Sequence, residues 1–389
     1  MLSNQGELAN KIRASGSRPL RKVCLLIGQL GRGGTEKQVM LLARGLHKRK
    51  IDISVLVLFE GGPLEDELRK TGIPVIHFGF QRLGAVRTAP ANMAAFARLV
   101  AHLRREKPDV LHAFLLHSYL VAAPVARMAR LPVLVAGRRS LGTFKEGHRF
   151  ALAVERLATR GTDLLIANAN AVAEDTIRRE RVVPEKISVV YNGLPESAFD
   201  KVPPAGIDTL FPIVLCVANL REYKGHSYLL EAVNHLYRHG RKCTLLLAGD
   251  GDQQYALEQQ ARAFGIDVRF LGSCPDVRPM LARADVIVLP SLHEGMSNAV
   301  MEAMAAGRPV VATNVGGTPE LLRGRGILVP PADPGAMAAA IELLLDDRAR
   351  ASSLGVQARN WGRTHLSADH MVDEHVRIYS HLLGNSCAE

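Results

Sequence analysis

The sequence predicts an α/β protein made of two doubly wound parallel-sheet domains. The chain has 389 residues, enough for two domains of ordinary size. Short, continuous apolar segments alternate with helical patterns, as in parallel sheets that are covered on both faces. A segment without periodicity and with three prolines, residues 193–210, interrupts the alternation, which then begins again. We therefore place the domain linker there.

The first half starts after a loose tail at residues 1–20. A glycine-rich turn at 31–34 follows the first strand, and strands and helices then alternate as far as Asn192. The predicted strands are 21–28, 53–59, 75–78 and 109–114, and the predicted helices are 37–47, 64–71 and 93–105.

The second half repeats this alternation. Its predicted strands are 213–218, 243–248, 268–271, 286–289 and 309–313, and its helices are 227–239, 253–264, 277–283 and 298–306. A last helix is predicted over 358–383, and the pattern allows it either to complete the second domain or to pack on the first. The predicted domains are 21–200 and 201–365, with the C-terminal helix in 366–389.

The charge distribution indicates an anionic partner for the first half. Residues 1–205 contain 32 Lys and Arg against 18 Asp and Glu, an excess of +14, whereas the remainder carries −3. Such asymmetry is typical of chains that meet a phosphorylated acceptor, an anionic membrane surface or nucleic acid. The low aromatic content of 5% disfavours nucleic acid, because few side chains are available to stack on bases.

The apolar runs and the cysteines of the sequence also predict its compartment and its relation to the membrane. No apolar run approaches the roughly 20 residues of a membrane span, and the first 20 residues lack the apolar block of a secretory signal. The five cysteines are scattered and form no CxxC pair, which predicts reduced thiols in the cytoplasm. A peripheral position on the inner face of the cytoplasmic membrane is compatible with the basic first half.

The segment 293–307 has the most informative pattern in the chain. Ser297 is a predicted N-cap and Gly307 a predicted helix stop, so Glu294 lies in a loop and Glu302 in the following helix. The free backbone N–H groups of a helix N-terminus bind anions. Two carboxylates beside such a site suit a diphosphate that lies between two hydroxylated sugars.

This segment resembles the E-x7-E motif of the family 4 retaining glycosyltransferases, which have the two-domain GT-B fold. The flanking residues 305–313 and 316–320 are also similar to that family. The resemblance implies that two Rossmann-like domains face each other across a cleft. It also implies that Glu302 binds the ribose of a nucleotide sugar and that Glu294 contacts the transferred sugar. The backbone that would hold the diphosphate or sugar belongs to Gly295, Met296, Ser297 and Asn298.

Two cations near the end of a predicted strand are further candidates. Arg221 and Lys224 lie in a loop where they would neutralise the leaving diphosphate. Lys224-Gly225 is similar to the family's Lys-Gly, whereas Asn219 stands where many members carry the Arg, so Arg221 is the less certain match. The resemblance also points to Gly33 and Gly34 near the diphosphate and acceptor, and to the backbone around Cys274 for the base.

The first domain, which the resemblance implies binds the acceptor, departs from the family pattern. Either Arg138 or Arg139 stands where many members carry a His, and His112 and His117 are weaker candidates that more often serve in packing. Together with Lys145, His148 and Arg149, these arginines form a basic run that suits a phosphate-bearing, lipid-linked acceptor.

No metal or cofactor is expected apart from the nucleotide diphosphate sugar that serves as donor substrate. Asp250-Gly251-Asp252 resembles the metal-binding D-x-D of another glycosyltransferase fold, but it falls in a turn, and no other cluster has ligand spacing. The function predicted is a retaining transfer of a sugar to a hydroxyl group. A nucleotide-sugar epimerase or phosphorylase of the same fold is the alternative, and a basic nucleic-acid-binding protein is a weaker one.

Overall fold

The computed structural model describes residues 19–31, 33–59, 61–81, 88–142 and 149–385, and among these it leaves out the side chains of 149–151 and 385. The chain forms two compact units. Of the described residues, the first unit comprises those in 19–168, 172–193 and 368–385, and the second comprises 169–171 and 194–367. The tail at 1–18, Lys145 and His148 lie outside the described residues.

The first unit contains a seven-stranded parallel sheet in the order β3-β2-β1-β4-β5-β6-β7. This confirms the predicted doubly wound parallel sheet. The strands are β1 (Lys22–Ile27), β2 (Asp52–Val57), β3 (Val75–His77), β4 (Val110–Phe114), β5 (Val133–Arg138), β6 (Leu164–Ala167) and β7 (Ile187–Val189). The helices between them are α1 (Gly34–Lys48), α2 (Leu64–Arg69), α3 (Ala89–Glu106), α4 (Leu116–Ala129), α5 (Arg149–Arg160) and α6 (Asn170–Glu180).

The second unit contains a six-stranded parallel sheet in the order β10-β9-β8-β11-β12-β13. Its strands are β8 (Ile213–Val217), β9 (Thr244–Ala248), β10 (Val268–Gly272), β11 (Val286–Leu289), β12 (Val310–Thr313) and β13 (Ile327–Val329). Its helices are α7 (His226–Arg238), α8 (Gln254–Phe264), α9 (Arg278–Arg283), α10 (Asn298–Ala305), α11 (Thr318–Leu322), α12 (Pro334–Asp346) and α13 (Arg348–His365).

The helical stretch predicted over 358–383 is divided in the structure: α13 ends at His365, and a separate helix, α14 (Ala368–Asn385), lies within the predicted C-terminal range 366–389. Leu366 leaves the helical conformation, with φ −116° and ψ 16°. Its side chain is fully buried, and its carbonyl accepts a hydrogen bond from the Leu194 amide at 2.7 Å. The break falls at the boundary between the units, and α14 is part of the first unit.

Two layers of helices cover the first sheet because successive strand side chains point to opposite faces. Val23 and Ile27 of β1 pack in a core that includes α1, α2 and α14. Cys24 and Leu26 of the same strand pack in a second core, which includes α3, α4 and α5. In the ranges that the structure describes, none of the helices has the length and apolarity needed to cross a membrane.

Candidate active site

The sheet of the second unit reverses its chain order between β8 and β11. From β8 the chain proceeds outward through β9 and β10, and it then returns to form β11 on the other side of β8. Open parallel sheets bind ligands at the carboxyl ends of strands where such a reversal occurs. The segments that follow β8 and β11 contain Lys224 and Glu294, so the topology makes both residues candidates.

Lys224 and Glu294 form an ion pair at this reversal. The Nζ of Lys224 lies 2.5 Å from Oε1 of Glu294, and the two side chains are 17% and 9% exposed. The Ser291 hydroxyl donates a second hydrogen bond to the same carboxylate oxygen at 2.8 Å. Water screens charges weakly at such low exposure. The pair therefore fixes a cation and a carboxylate next to each other at the edge where open parallel sheets generally bind ligands.

Close backbone packing holds the loops of this site together. Gly225 has φ +70°, and a Cβ there would lie 2.1 Å from the Pro290 carbonyl oxygen. Gly316, with φ +52°, would bring a Cβ within 1.8 Å of the Glu294 carbonyl oxygen. The Leu292 amide also donates to the Tyr223 carbonyl at 2.8 Å. Glycine is required where backbones approach this closely, so these contacts explain two of the glycines in the motifs.

The helix after β11 begins and ends as predicted. The Ser297 side chain accepts a hydrogen bond from the Val300 amide at 3.4 Å, which confirms it as the N-cap of α10. Gly307 adopts φ +69° just after the helix, which confirms it as the stop. Gly295, Met296 and Ser297 are buried.

Glu302 and Asn298 lie on α10 itself and are half-buried. Asn298 is the first residue of the helix, and Glu302 lies one turn further along. Glu294 precedes the helix, so the two glutamates of the motif are on different elements, as the sequence predicts. This arrangement places a carboxylate on each side of a helix N-terminus.

Arg221 and Cys274 occupy the same edge of the sheet but separate positions. Arg221 pairs with Asp252 in the turn after β9, with Nη1 2.5 Å from the carboxylate, and both side chains are more than half exposed. Cys274 follows β10 and is half-buried, with its thiol 3.5 Å from the Gly272 carbonyl. An exposed ion pair contributes little stability, so Arg221 can exchange partners readily.

The glycine-rich loop of the first unit leads directly into α1. Gly33 is the N-cap of this helix, and its carbonyl accepts from the Lys37 amide at 3.1 Å. Gly34 is the first helical residue and is exposed. Glu36 in the first turn is buried, and burial raises the pKa of its carboxyl group. The loop follows β1, which lies next to β4, where the order of the first sheet also reverses.

Arg138 belongs to a buried network inside the first unit. Its guanidinium donates to both carboxylate oxygens of Glu180, at 2.9 and 2.8 Å, and lies 3.9 Å from the centre of the Tyr119 ring. The Thr159 hydroxyl donates to the same carboxylate at 2.6 Å. The Arg138 side chain is 5% exposed. Its charge is therefore compensated within the protein.

Arg139 differs from its neighbour because it has no carboxylate partner among the described residues. Its Nη2 donates to the Asn192 side chain at 2.7 Å, and its Nε is buried without a partner. Burial lowers the pKa of this guanidinium to about 10. His112 is fully buried, and its Nδ1 lies 2.6 Å from the Tyr379 hydroxyl of α14, which fits a packing role.

Three further residues lie close in sequence to these candidate residues, and no role was predicted for them from sequence. Ser291 orients the Glu294 carboxylate, and Glu36 lies in the first turn after the glycine loop. His226, the first residue of α7, is 2% exposed and has both ring nitrogens unpartnered. Burial, assisted by the Lys224 charge, lowers its pKa to about 4. The Lys-Gly-His sequence at the start of a helix is the signal that could have identified it.

The described parts of the chain contain no group of three or more His, Cys, Asp or Glu side chains that could hold a metal ion. Asp252, the second acid of the Asp-Gly-Asp turn, is paired with Arg221. The turn lies between β9 and α8, where the sequence placed it.

Comparison with known families divides the chain at the same region as the fold. Residues 32–197 match the model described as "Glycosyltransferase Family 4". Residues 211–347 match the model described as "Glycosyl transferases group 1". Together the two matches include every strand of the two sheets except β1, and they include the segments around Gly33, Lys224 and Glu294.

Individual relatives and a solved structure agree with these two family matches. The lipopolysaccharide core biosynthesis glycosyltransferase LpsE of Rhizobium meliloti is 27% identical, over 89% of this chain and 95% of its own. The alpha-maltose-1-phosphate synthase of Mycolicibacterium smegmatis is 30% identical, over 60% of this chain and 67% of its own. The crystal structure of Anabaena HepE in complex with UDP-glucose has a TM-score of 0.80 at 24% identity, over 92% and 99% of the two chains.

Proposed function

Because the chain belongs to glycosyltransferase family 4 and has the GT-B fold, we propose that it is a retaining, metal-independent enzyme. It transfers a sugar from a nucleotide diphosphate sugar to a hydroxyl group. The observation that carries this proposal is the Lys224–Glu294 pair at the chain reversal, next to the capped N-terminus of α10. The pair and the helix end together offer a cation, a carboxylate and backbone donors at one edge.

In this proposal the second unit binds the donor. Glu302 accepts hydrogen bonds from the ribose, and Glu294 accepts them from the transferred sugar. The backbone of Gly295–Asn298 holds the diphosphate, and Cys274 lies near the base. Lys224, with Arg221 once it leaves Asp252, stabilises the negative charge that develops on the leaving diphosphate. Donors and cations that are already in place stabilise that charge with little reorganisation.

The proposed reaction needs no nucleophilic side chain. The acceptor hydroxyl attacks the anomeric carbon from the face that the diphosphate leaves, so the bond to the acceptor oxygen forms as the bond to phosphate breaks. The acceptor's proton passes to the departing phosphate oxygen. The protein contributes orientation and charge stabilisation, which are sufficient for large rate enhancements.

The proposed acceptor is a phosphate-bearing, lipid-linked glycan precursor at the inner face of the cytoplasmic membrane. The excess positive charge of the first 205 residues supports an anionic acceptor side. The name of LpsE, a lipopolysaccharide core biosynthesis glycosyltransferase, supports a glycan precursor. Within the first unit, Arg139 is the better anion ligand of the two arginines, because Glu180 compensates the charge of Arg138. Gly33 and Gly34 present backbone groups near the diphosphate and the acceptor.

A product analysis tests this function. The full chain is incubated with UDP-, GDP- and ADP-sugars, with and without a lipid-linked glycan fraction, and free nucleoside diphosphate and the anomeric configuration of the product are measured. The proposal expects acceptor-dependent release with retained configuration, abolished by Glu302→Ala. Sugar phosphate formed with inorganic phosphate, or an epimerised nucleotide sugar, would identify a phosphorylase or an epimerase instead.

A further inference from the structure

Three buried nitrogen atoms of the first unit have no hydrogen-bond partner among the described residues. They are Nε2 of His112, Nε2 of His375 and Nε of Arg139. His112 belongs to β4, Arg139 directly follows β5, and His375 belongs to α14. Side chains of these two strands and of α14 pack in one core. Buried polar atoms without partners are rare in folded proteins, so three of them in one core point to a bound water or ion.

The three side chains lie next to one another. The ring centres of His112 and His375 are 5.7 Å apart, a separation at which one small ligand can contact both rings. Burial, together with the Arg139 charge, lowers the pKa of both rings. Gly137 lies two positions before Arg139, the spacing of side chains on one face of a strand. A Cβ at Gly137 would lie 3.4 Å from Nε2 of His112, so the glycine leaves space beside that atom.

The hydrogen bonds of the two rings determine which nitrogen carries the hydrogen. Nδ1 of His375 lies 2.8 Å from the Met371 carbonyl, which can only accept, so Nε2 of the neutral ring is an acceptor. Nδ1 of His112 lies 2.6 Å from the Tyr379 hydroxyl, which has no other partner in the described part of the chain. The hydroxyl therefore donates to Nδ1, and Nε2 of His112 carries a hydrogen. With the Nε–H of Arg139, the three nitrogens comprise two donors and one acceptor.

The positive charge of Arg139 has no counter-ion within the described ranges. Its Nη2 donates to the Asn192 side chain at 2.7 Å, and that side chain is uncharged. Glu374, whose charge acts on His375, is already paired with Arg377 at 2.7 Å. A partly buried cation without a counter-ion is unfavourable, so a ligand at these nitrogens is stabilised if it carries a negative charge.

We propose that Arg139, His112 and His375 enclose a site for a small, singly charged oxyanion that keeps one O–H group, such as bicarbonate. Its charged oxygens accept hydrogen bonds from Nε of Arg139 and Nε2 of His112, and its O–H donates to Nε2 of His375. All three nitrogens are then partnered, and the guanidinium charge is compensated. A water molecule would supply these hydrogen bonds without the charge, and chloride would supply the charge without a hydrogen for His375.

Hydrogen exchange of the α14 amides tests this site in the full chain, without sugar donor or acceptor. The chain is compared in bicarbonate and in nitrate at equal ionic strength and about pH 8, where both histidines are neutral. Nitrate has the planar shape and the charge of bicarbonate but no O–H. A ligand that binds only the closed state reduces opening by the factor 1 + [L]/Kd. At a bicarbonate concentration about ten times Kd, we expect about tenfold slower exchange, against at most about twofold in nitrate, which lacks one hydrogen bond.

Four variants assign the effect to the proposed groups. Arg139→Met removes the charge, and Asn192→Asp places a carboxylate within hydrogen-bond reach of the guanidinium, so both should abolish the bicarbonate effect. His375→Leu should make bicarbonate and nitrate equivalent. Arg308→Met is the matched control in the second unit. Arg308 also has a buried, unpartnered Nε, but its guanidinium donates to two backbone carbonyls, so this variant should retain the full effect.

Equal exchange of the wild type in bicarbonate and in nitrate would overturn the proposal, and water would then be the partner of the three nitrogens. A bicarbonate effect that persists in Arg139→Met, or one that is lost in Arg308→Met, would overturn it as well. Because the assay contains neither donor nor acceptor, each of these results leaves the transferase proposal intact.

Discussion

Lys224 and Glu294 lie 2.5 Å apart at the place where the second sheet reverses its chain order. One residue follows β8 and the other follows β11, so 70 positions of sequence separate two groups that are paired in space. The pairing gives a cation and a carboxylate fixed positions before any donor binds. In the proposed mechanism, this preorganisation favours a transition state in which charge develops on phosphate.

Replacement of Lys224 by Met should lower transfer by about 10²–10³-fold, because the cation proposed to stabilise the leaving diphosphate is lost. Glu294→Gln should also reduce transfer.

Urea unfolding tests the coupling between the two residues. The double variant should lose less free energy of unfolding than the sum of the losses in the two single variants, by about 1–3 kcal/mol, as expected for residues in contact. The exposed pair Arg241–Asp346, measured in the same way, should give less than about 1 kcal/mol. Additive effects at Lys224 and Glu294 would contradict the coupling.

Gly225→Ala and Gly316→Ala should destabilise the second unit and reduce transfer, because each new Cβ would overlap a carbonyl oxygen of the site. Gly240→Ala is the matched control. Gly240 also has a positive φ, +75°, but a Cβ there would meet nothing within 4 Å. The Gly240→Ala control should lower the free energy of unfolding by about 1 kcal/mol, from backbone strain alone, and should leave transfer unchanged. Equal losses in all three variants would show that strain, and not contact, explains the glycines.

Local sequence patterns were sufficient for most of the fold and for part of the site. The alternation of apolar strands with helices depends on neighbouring residues, and so do the Ser297 cap and the Gly307 stop. Such local patterns could not predict contacts between segments that are distant in sequence. The Leu366 carbonyl, where α13 ends, accepts a hydrogen bond from the distant Leu194 amide. The neighbours Arg138 and Arg139 differ because Glu180, more than 40 positions away, pairs with Arg138.

Arg138 and Arg139 provide a test of that difference. Arg138→Met should destabilise the first unit by about 3–5 kcal/mol, because it leaves the buried Glu180 carboxylate unpaired. Arg139→Met should change stability far less and should raise the acceptor KM. Urea unfolding and acceptor titrations on both variants separate the two effects. A raised KM in well-folded Arg138→Met, with Arg139→Met unaffected, would reverse the assignment.

The first unit should lose stability as the pH falls from about 6.5 to 4. Burial lowers the pKa of His375 to about 4, next to Arg139 and Glu374, and also lowers that of His112. The unfolded chain therefore binds protons in this window that the folded chain excludes, and the loss is complete below the folded-state pKa. His375→Gln should flatten the dependence of the unfolding free energy on pH by up to about 3 kcal/mol over the window. If the unfolding free energy of His375→Gln depended on pH as strongly as that of the wild type, His375 would be excluded as the source of the pH dependence.

Removal of divalent metal should leave transfer unchanged. Lys224 and Arg221 are proposed to supply the positive charge that Mg²⁺ supplies in other transferases. Initial rates in excess EDTA and in Mg²⁺ should agree within about twofold, since no step of the proposed mechanism uses a metal. Loss of activity in EDTA that Mg²⁺ or Mn²⁺ restores would contradict this part of the mechanism.

The central claim is that the second unit binds a nucleoside diphosphate at the edge that contains Lys224 and Glu302. Calorimetric titration of the full chain with UDP, GDP and ADP, in the absence of divalent metal, tests it most directly. We expect one nucleotide to bind selectively, and Glu302→Gln or Lys224→Met to weaken it by tenfold or more. Binding of none of the three, or equal binding by both variants and the wild type, would contradict the account.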